Sequence, residues 1–558
     1  MTSSNATTRH TLIAALAAAI LPFAAAGDAL AGGPAAKSGD WPEYHRDYRG
    51  WRYSPLDQIN AGNVRKLKIA WIHQPGDIAQ GLQATPLAID GVLYYIAANN
   101  RVFAVDGKTG KELWSYFTEL DPVTAKLLFA SYNRGVAVAH GKVYFGTLDG
   151  RLIALDQKTG AKAWDTKLVD TAKTSGSNFT SPPTVAGDVV IIGPTGGDLA
   201  QRGHIYGVNA ATGEKIWEFE TLRDDPASWS KEAIEHGGGG AWMSGQYDPE
   251  NDLYYIGTSN AAPDFNGAVR EGDNLYTATL LAIEPKTGKL RWHHQEVPHD
   301  VWDYDSAYET VMIDKGGKQL MTHLNKGGFV TVLDRKTGKV ENVWPFAKNV
   351  TWVKSVDPKT GALVGRNEPN EAENKTFCPS VLGARSWNHG AYSPKTGLWY
   401  TNAHEFCNAV KVGKQDPKAV PFSAPYFDFA ELAFVAPPGG KASSRFEAID
   451  PLTGKTAWSI DYALPGLGSV LATGGNLVFN GDSEGLVHAY DAKSGKELWT
   501  FNVGSGIRAG LISYKAGGKQ YILVPSGFGS LFPAFAGGLF PAFKQQRGGA
   551  ALIAFTLE

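Results

Sequence analysis

The stretch Pro298–Ser306, PHDVWDYDS, sets three carboxylates, Asp300, Asp303 and Asp305, beside a histidine and a tryptophan. In an extended segment, residues two apart point to the same side, so Asp303 and Asp305 are expected to face one point while Asp300 faces elsewhere. Carboxylates aimed at one point repel unless a cation sits between them. Taken alone, the stretch reads equally as a solvated acidic turn. Three other segments carry candidate side chains: TGGDLAQRG with Asp198, GGGGAWMSGQYDP with Trp242, and YIGTSNAAPDFNG with Asn260. Singly these read as a loop carboxylate, a core indole and a turn former. As a set, carboxylate and amide oxygens are what hard cations prefer, and no sulfur donor is among them.

Such residues must be brought together by a scaffold, and the chain advertises one by repetition. FAVDGKTGKELW ends at Trp114, and related segments end at Trp164, Trp217, Trp292, Trp344, Trp458 and Trp499. Each reads as a strand, a tight turn built on Asp or Asn and on Gly, and a second strand carrying the Trp. Alternating strands such as GVLYYIA, GKVYFGT and NDLYYIG precede several copies. About four strands per unit of roughly 45 to 60 residues is the pattern of a β-propeller blade. Leu67–His73 resembles the Trp-bearing strand without its turn, and the C-terminal ALIAFTLE resembles the turn strand without its successor. Joined, they complete one more blade. The expectation is an all-β, eight-bladed propeller with tryptophan-docking repeats, in one domain over 32–558. Extra length around 118–135, 220–240, 345–385 and 410–445 reads as loops over one face.

A net charge of −2 and a pI near 6.7 supply no basic field for nucleic acid or an anionic membrane, so the expected partner is a small molecule or a protein. Residues 1–31 read as an export signal, with an apolar run from Leu12 to Ala26 closing on Ala29-Leu30-Ala31. That run is short for a membrane span, and no later stretch is long enough. Cys378 and Cys407 are the two cysteines. In an exported protein they read as a disulfide, with two buried thiols as the alternative. No CxxCH occurs, so no c-type haem of the chain's own is expected.

With its turn repeat and its WDYD segment, the chain resembles the quinoprotein alcohol dehydrogenases of the methanol/ethanol dehydrogenase family, which carry pyrroloquinoline quinone (PQQ) on an eight-bladed propeller. The resemblance runs from DWPEYHRDYRGWRYSPLDQIN at Asp40 to GKQYILVPSGFG at Gly529. It implies that Trp242 lies under the quinone and that Asp198, Asn260 and Asp303 hold one metal ion, Ca²⁺ or a lanthanide(III). Asp303 would also be the base that takes the alcohol proton, and Asp305 the extra carboxylate of the lanthanide-using members. Arg101 and Lys326 fall where the family sets cations against the quinone, and Thr180 where a threonine touches it. At two further cofactor positions this chain departs from the family: Gln83 replaces a glutamate and Ser386 an asparagine. Leu467 stands where tryptophan is common, Asp198 replaces a glutamate, and Leu128-Phe129 replace an adjacent cysteine pair. The implied activity is periplasmic, PQQ-dependent oxidation of an alcohol, with electrons leaving through a separate cytochrome c or another carrier. The rival readings are a non-catalytic propeller, serving as scaffold or as a PQQ or metal sensor, and oxidation of a sugar or polymeric alcohol.

Overall fold

The computed structural model describes residues 1–2 and 39–558, apart from 77, 79, 123, 125–130, 175 and 421–423. The apolar run of the export signal and the Leu128-Phe129 pair lie outside the described residues. Among them the chain is built from four-stranded antiparallel meanders. The first contains Leu87–Ile89, Val92–Ala97, Arg101–Asp106 and Glu112–Phe117. The same order recurs in sheets spanning 137–167, 184–220, 246–295, 310–345, 391–462 and 471–502, the last with Tyr53–Ser54 added as a parallel edge strand. Lys68–His73 pairs antiparallel with Ala551–Thr556, completing the sheet that holds Ile512–Ala516 and Lys519–Ser526. The two ends of the chain therefore share one sheet, as the incomplete repeats anticipate.

The repeated motif makes the turn and the docking contact at once. Asp106 Oδ1 accepts from the backbone N–H groups of Lys108 and Thr109 at 3.0 and 2.8 Å, and from the Thr109 hydroxyl at 2.8 Å. Gly110 then adopts φ +74°, where a Cβ would lie 2.7 Å from the indole of Trp71 in the preceding sheet. The absence of that Cβ lets the ring lie against the turn. The same close approach joins Trp114 to Gly160, Trp164 to Gly213, Trp217 to Gly288, Trp292 to Gly338, Trp344 to Gly454 and Trp458 to Gly495. Several of these indoles also donate Nε1–H to a turn carbonyl, Trp71 to Gly107 at 3.0 Å and Trp217 to Pro285 at 2.7 Å. Each sheet but 471–502 is thus fastened to the next one in sequence; there Trp499 packs edge-on against Phe555 at 5.3 Å. Within a sheet the third strand is buried through its middle, as in Arg101–Asp106, while the Trp-bearing fourth strand, Glu112–Phe117, is largely solvent-facing.

In such a meander the chain enters the first strand, and links the second to the third, at one end; the Asp–Gly turn lies at the other. The insertions gather over the first end. Val353–Val356 pairs with Leu363–Arg366, and Lys375–Phe377, Cys407–Val412 and Phe429–Val435 form a separate three-stranded sheet. Cys378 and Cys407 form a disulfide with S–S 2.00 Å, which settles the open choice against two thiols. Closing a loop of this length contributes about 3–4 kcal/mol.

Candidate active site

Over that same end lies a cavity of about 330 Å³. Its lining comes from segments leading into first strands, which carry Gln83, Arg134, Thr180, Trp242, Asp303, Asp305, Ser386 and Arg508, and from links between second and third strands, which carry Asp198, Asn260, Asp264 and Lys326. Phe265, Leu382, Phe427, Leu432, Phe434, Phe532 and Phe535 make part of its wall apolar. Part of that wall is the 407–435 insertion; the rest includes Phe532–Ala536, a short helix formed by the first of the two LFPAF copies and packed on Phe406, Phe540 and Phe543.

The acidic stretch does not form a strand. Asp300 turns inward and accepts from the backbone N–H groups of Trp302 at 3.0 Å and Tyr304 at 2.8 Å, and Asp303 takes φ +61°. Asp303 and Asp305 do converge, and Asp300 does face away, but the agent is this carboxylate-anchored turn and not strand alternation. Their meeting point is Lys326, whose Nζ lies 2.7 Å from Asp303 Oδ1 and 3.0 Å from Asp305 Oδ2. Asp305 Oδ1 also accepts the Asn260 backbone N–H at 2.8 Å. Asn260 Nδ2 in turn donates to Asp264 Oδ1 at 2.9 Å. Carboxylate oxygens of Asp198, Asp264 and Asp303 lie within 4.8 Å of one another.

The electrostatics follow from crowding. Burial, then Asp305, raises Asp198 to about 6 although Lys326 and Asn260 oppose the shift; its carboxylate is open to the cavity but enclosed by protein beyond it. Burial also lifts Asp303 well above the usual carboxylate range, with Lys326 pulling it down and Asp198 and Asp305 pushing it up. Asp264 is lifted in the same way by burial, Asp198 and Asp303. For Lys326 burial works against the charge, and Asp303, Asp305 and Asp198 outweigh it, holding the ammonium well above its ordinary value. One ammonium does not balance this many carboxylates, which is the condition a bound cation relieves.

On the facing wall, Arg134 donates Nη1–H to Thr180 Oγ1 at 2.9 Å and stands 5.2 Å from the Trp242 ring and 4.4 Å from that of Trp387. Arg508 stands 5.4 Å from the Trp387 ring and reaches Ser386 Oγ at 3.5 Å. Both guanidinium Nε groups are buried without a partner. Burial, followed by repulsion from Arg134, lowers Arg508 to about 9. Gln83 donates to the Gly529 carbonyl at 3.1 Å, and its Oε1 is left unpaired. The Ser386 backbone N–H donates to His404 Nε2 at 3.1 Å. Arg101 is placed elsewhere: its guanidinium lies 5.2 Å from the Phe117 ring, and it does not line the cavity. Leu467 is buried in the aromatic cluster behind the wall.

Residues 41–360 and 450–522 match the family model described as "Glucose/ethanol/alcohol dehydrogenase, beta-propeller domain", a PQQ domain. The chain belongs to the quinoprotein alcohol dehydrogenases. It is 38% identical over 548 residues to quinohemoprotein alcohol dehydrogenase ADH IIB of Pseudomonas putida, covering 93% of this chain and 77% of that protein. Quinoprotein alcohol dehydrogenase PedH of Pseudomonas putida is 34% identical over 543 residues, covering 91% of this chain and 89% of its own. Among solved structures, a europium-containing methanol dehydrogenase superposes with TM-score 0.86 at 30% identity, covering 93% of this chain and 98% of that one. For this quinoprotein chain the family implies PQQ and a metal ion, and the cavity fits both. Asn260 Oδ1 and Asp264 Oδ2 are buried oxygens without partners beside other carboxylates, and Gly197 has no Cβ where one would come within 2.3 Å of Asn260 Oδ1. For the quinone, Trp242 offers a flat face, and the two arginines offer unpaired donors for carboxylates.

Among the lining residues that escaped the sequence reading are Arg134, Asp264 and Arg508. Arg134 sits in Tyr132-Asn133-Arg134-Gly135, where nothing in the residue types marks it as a cation facing the cavity. Asp264 stands in SNAAPDFNG with nothing local to separate it from a loop carboxylate, and Arg508 follows Gly-Ser-Gly-Ile with no pattern at all.

Proposed function

We propose that the protein is a periplasmic PQQ-dependent alcohol dehydrogenase whose sheets close as an eight-bladed ring. PQQ, when bound, supplies the two-electron oxidant, and the metal ion acts as Lewis acid. Trp242 would support the cofactor, with Thr180, Gln83, Ser386, Lys326 and Arg134 around its rim and Arg508 as a further donor. Asp198, Asn260 and Asp303 would hold the metal, with Asp305 the additional carboxylate beside them. Asp303 would also accept the proton of the substrate hydroxyl, and burial among Asp198 and Asp305 raises its proton affinity above that of an ordinary carboxylate, the direction a general base needs. No assignment is made for Arg101, which lies away from the cavity.

The observation that carries this reading is the convergence of Asp303, Lys326 and Asp305 on one wall of a cavity shared with Trp242, in a chain of this family. The apolar wall that Phe265, Phe427, Phe434, Phe532 and Phe535 give the cavity favours an alcohol with an apolar tail over a sugar. Electrons would leave to a separate carrier such as a cytochrome c. The apolar N-terminal run and the disulfide support export. Among the described residues no helix is long and apolar enough to cross a membrane. The test is dye-linked oxidation of primary alcohols by the protein given PQQ with Ca²⁺ or La³⁺, alongside Asp303→Asn. Turnover that Asp303→Asn abolishes supports the reading. A wild-type protein that binds PQQ and metal but turns over no alcohol, aldehyde or sugar returns it to a sensor or scaffold.

A further inference from the structure

We infer that Asp264 is a direct ligand of the metal ion, and that it tunes the site to a trivalent cation. The inference rests on the dehydrogenase reading above and adds a residue that reading does not use. Asp264 is fully buried, and its carboxylate lies with those of Asp198 and Asp303 inside a 4.8 Å cluster. One oxygen, Oδ1, is held by Asn260 Nδ2 at 2.9 Å. Among the described residues the other, Oδ2, has no hydrogen-bond partner, and neither has the buried Asn260 Oδ1 beside it. A carboxylate oxygen buried without a donor is costly, and a coordinated cation removes the cost.

The backbone around Asp264 is built for this placement. The Asp264 N–H donates to the Tyr426 carbonyl at 3.2 Å, and the Tyr426 N–H donates to the Asp198 carbonyl at 2.7 Å. One residue of the inserted 407–435 segment thus sets both carboxylates in place. Asp305, by contrast, has each oxygen engaged, one by the Asn260 N–H and one by Lys326. It positions Asn260 and the lysine, while Asp264 presents the free oxygen.

Charge decides the ion. With a bound cation holding them ionised, Asp198, Asp264, Asp303 and Asp305 set four carboxylates against the ammonium of Lys326, while Asp300 and Arg270 beside them offset each other, leaving an excess of three negative charges. A trivalent ion neutralises that excess, and Ca²⁺ leaves one charge uncompensated. The attraction between Asp264 and the ion scales with the ion's charge, so deleting the carboxylate weakens a lanthanide more than calcium.

The experiment titrates the full chain, stripped of metal by chelation, with terbium(III), reading luminescence sensitised by tryptophan and using Ca²⁺ as competitor. Asp264→Asn is expected to weaken terbium at least about tenfold, the lower end of the loss seen when even an outer partner of a metal site is removed. It should weaken calcium less, so that the preference for terbium narrows. Luminescence lifetimes in ordinary and deuterated water should show an additional coordinated water in Asp264→Ala. Asp264→Glu, which keeps the carboxylate, should retain terbium and its hydration, and it stands as the control should either neutral variant fail to fold. A folded Asp264→Asn with wild-type terbium affinity, selectivity and hydration overturns the inference and leaves the dehydrogenase reading intact. A wild-type chain that binds Ca²⁺ but no terbium overturns the inference alone, and one that binds neither ion overturns both.

Discussion

Lys326 Nζ lies 2.7 Å from Asp303 Oδ1 and 3.0 Å from Asp305 Oδ2, so one ammonium is shared between the proposed base and the carboxylate two residues on. The lysine side chain is 15% exposed and that of Asp303 14%, so little water screens the pair. Removing one partner of a buried ion pair leaves the other uncompensated and costs about 3–5 kcal/mol, somewhat less at this partial exposure. Lys326→Met should therefore lower the unfolding free energy of the metal-free protein by a few kcal/mol, and saturating La³⁺ should restore part of it. Thermal unfolding with and without metal measures both; an unchanged midpoint in the metal-free variant refutes the ion pair as a stabilising contact.

Arg508 is buried beside a second guanidinium and, among the described residues, has no carboxylate partner, so its charge is a cost until an anion arrives. Arg508→Met is expected to leave the unfolding midpoint unchanged or raised. A charge-assisted hydrogen bond is worth about 1.5–3 kcal/mol, so the same variant should bind PQQ about 10- to 100-fold more weakly. Equilibrium titration of PQQ by fluorescence quenching checks this, and undiminished affinity would remove Arg508 from the cofactor site.

Gly213 adopts φ +79°, and a Cβ there would lie 2.7 Å from the Trp164 ring and 2.8 Å from Thr166 Oγ1. Gly213→Ala should cost about 1–3 kcal/mol from overpacking, with left-handed strain in addition. Gly397 also has positive φ but has nothing within 4 Å of the same atom, so Gly397→Ala should cost only the smaller backbone term. Urea unfolding that finds the two variants equally stable would count against indole docking as the joint between sheets.

Burial, with Asp47 adding to it, raises Glu43 from 4.5 to about 8, against a hydrogen bond from Tyr48. A carboxyl whose folded value is raised stabilises fully below its unfolded value and loses that contribution as pH rises through the folded one. Stability should therefore decline between about pH 4.5 and pH 8, by at most about 1.4 kcal/mol per unit. Glu43→Gln removes the ionisation and should flatten this part of the profile. Denaturant unfolding across that range shows it, and parallel profiles for wild type and variant would exclude Glu43 as the source.

The scaffold was legible in the chain because its information is local. Asp106, Thr109, Gly110 and Trp114 lie within one hairpin, and their types and spacing dictate the turn, the strand on either side and the indole to be docked. The pairing of Lys68–His73 with Ala551–Thr556 was also readable, since each end carries half of that repeat. Asp303 and Asp305 by themselves read equally as a cation site or a solvated acidic turn, and it was the segments with Asp198, Trp242 and Asn260 that favoured the former. Tertiary structure alone decided the rest. Asp300, by drawing the N–H groups of Trp302 and Tyr304 onto its carboxylate, replaces the expected extended segment with a turn. Arg101 lies on Phe117 while Arg134 and Arg508 face the cavity, a distinction of direction that residue type does not encode. Asp264 draws its meaning from Tyr426, more than 160 positions away, because a loop carboxylate becomes a candidate ligand only when a distant backbone holds its unpaired oxygen among others.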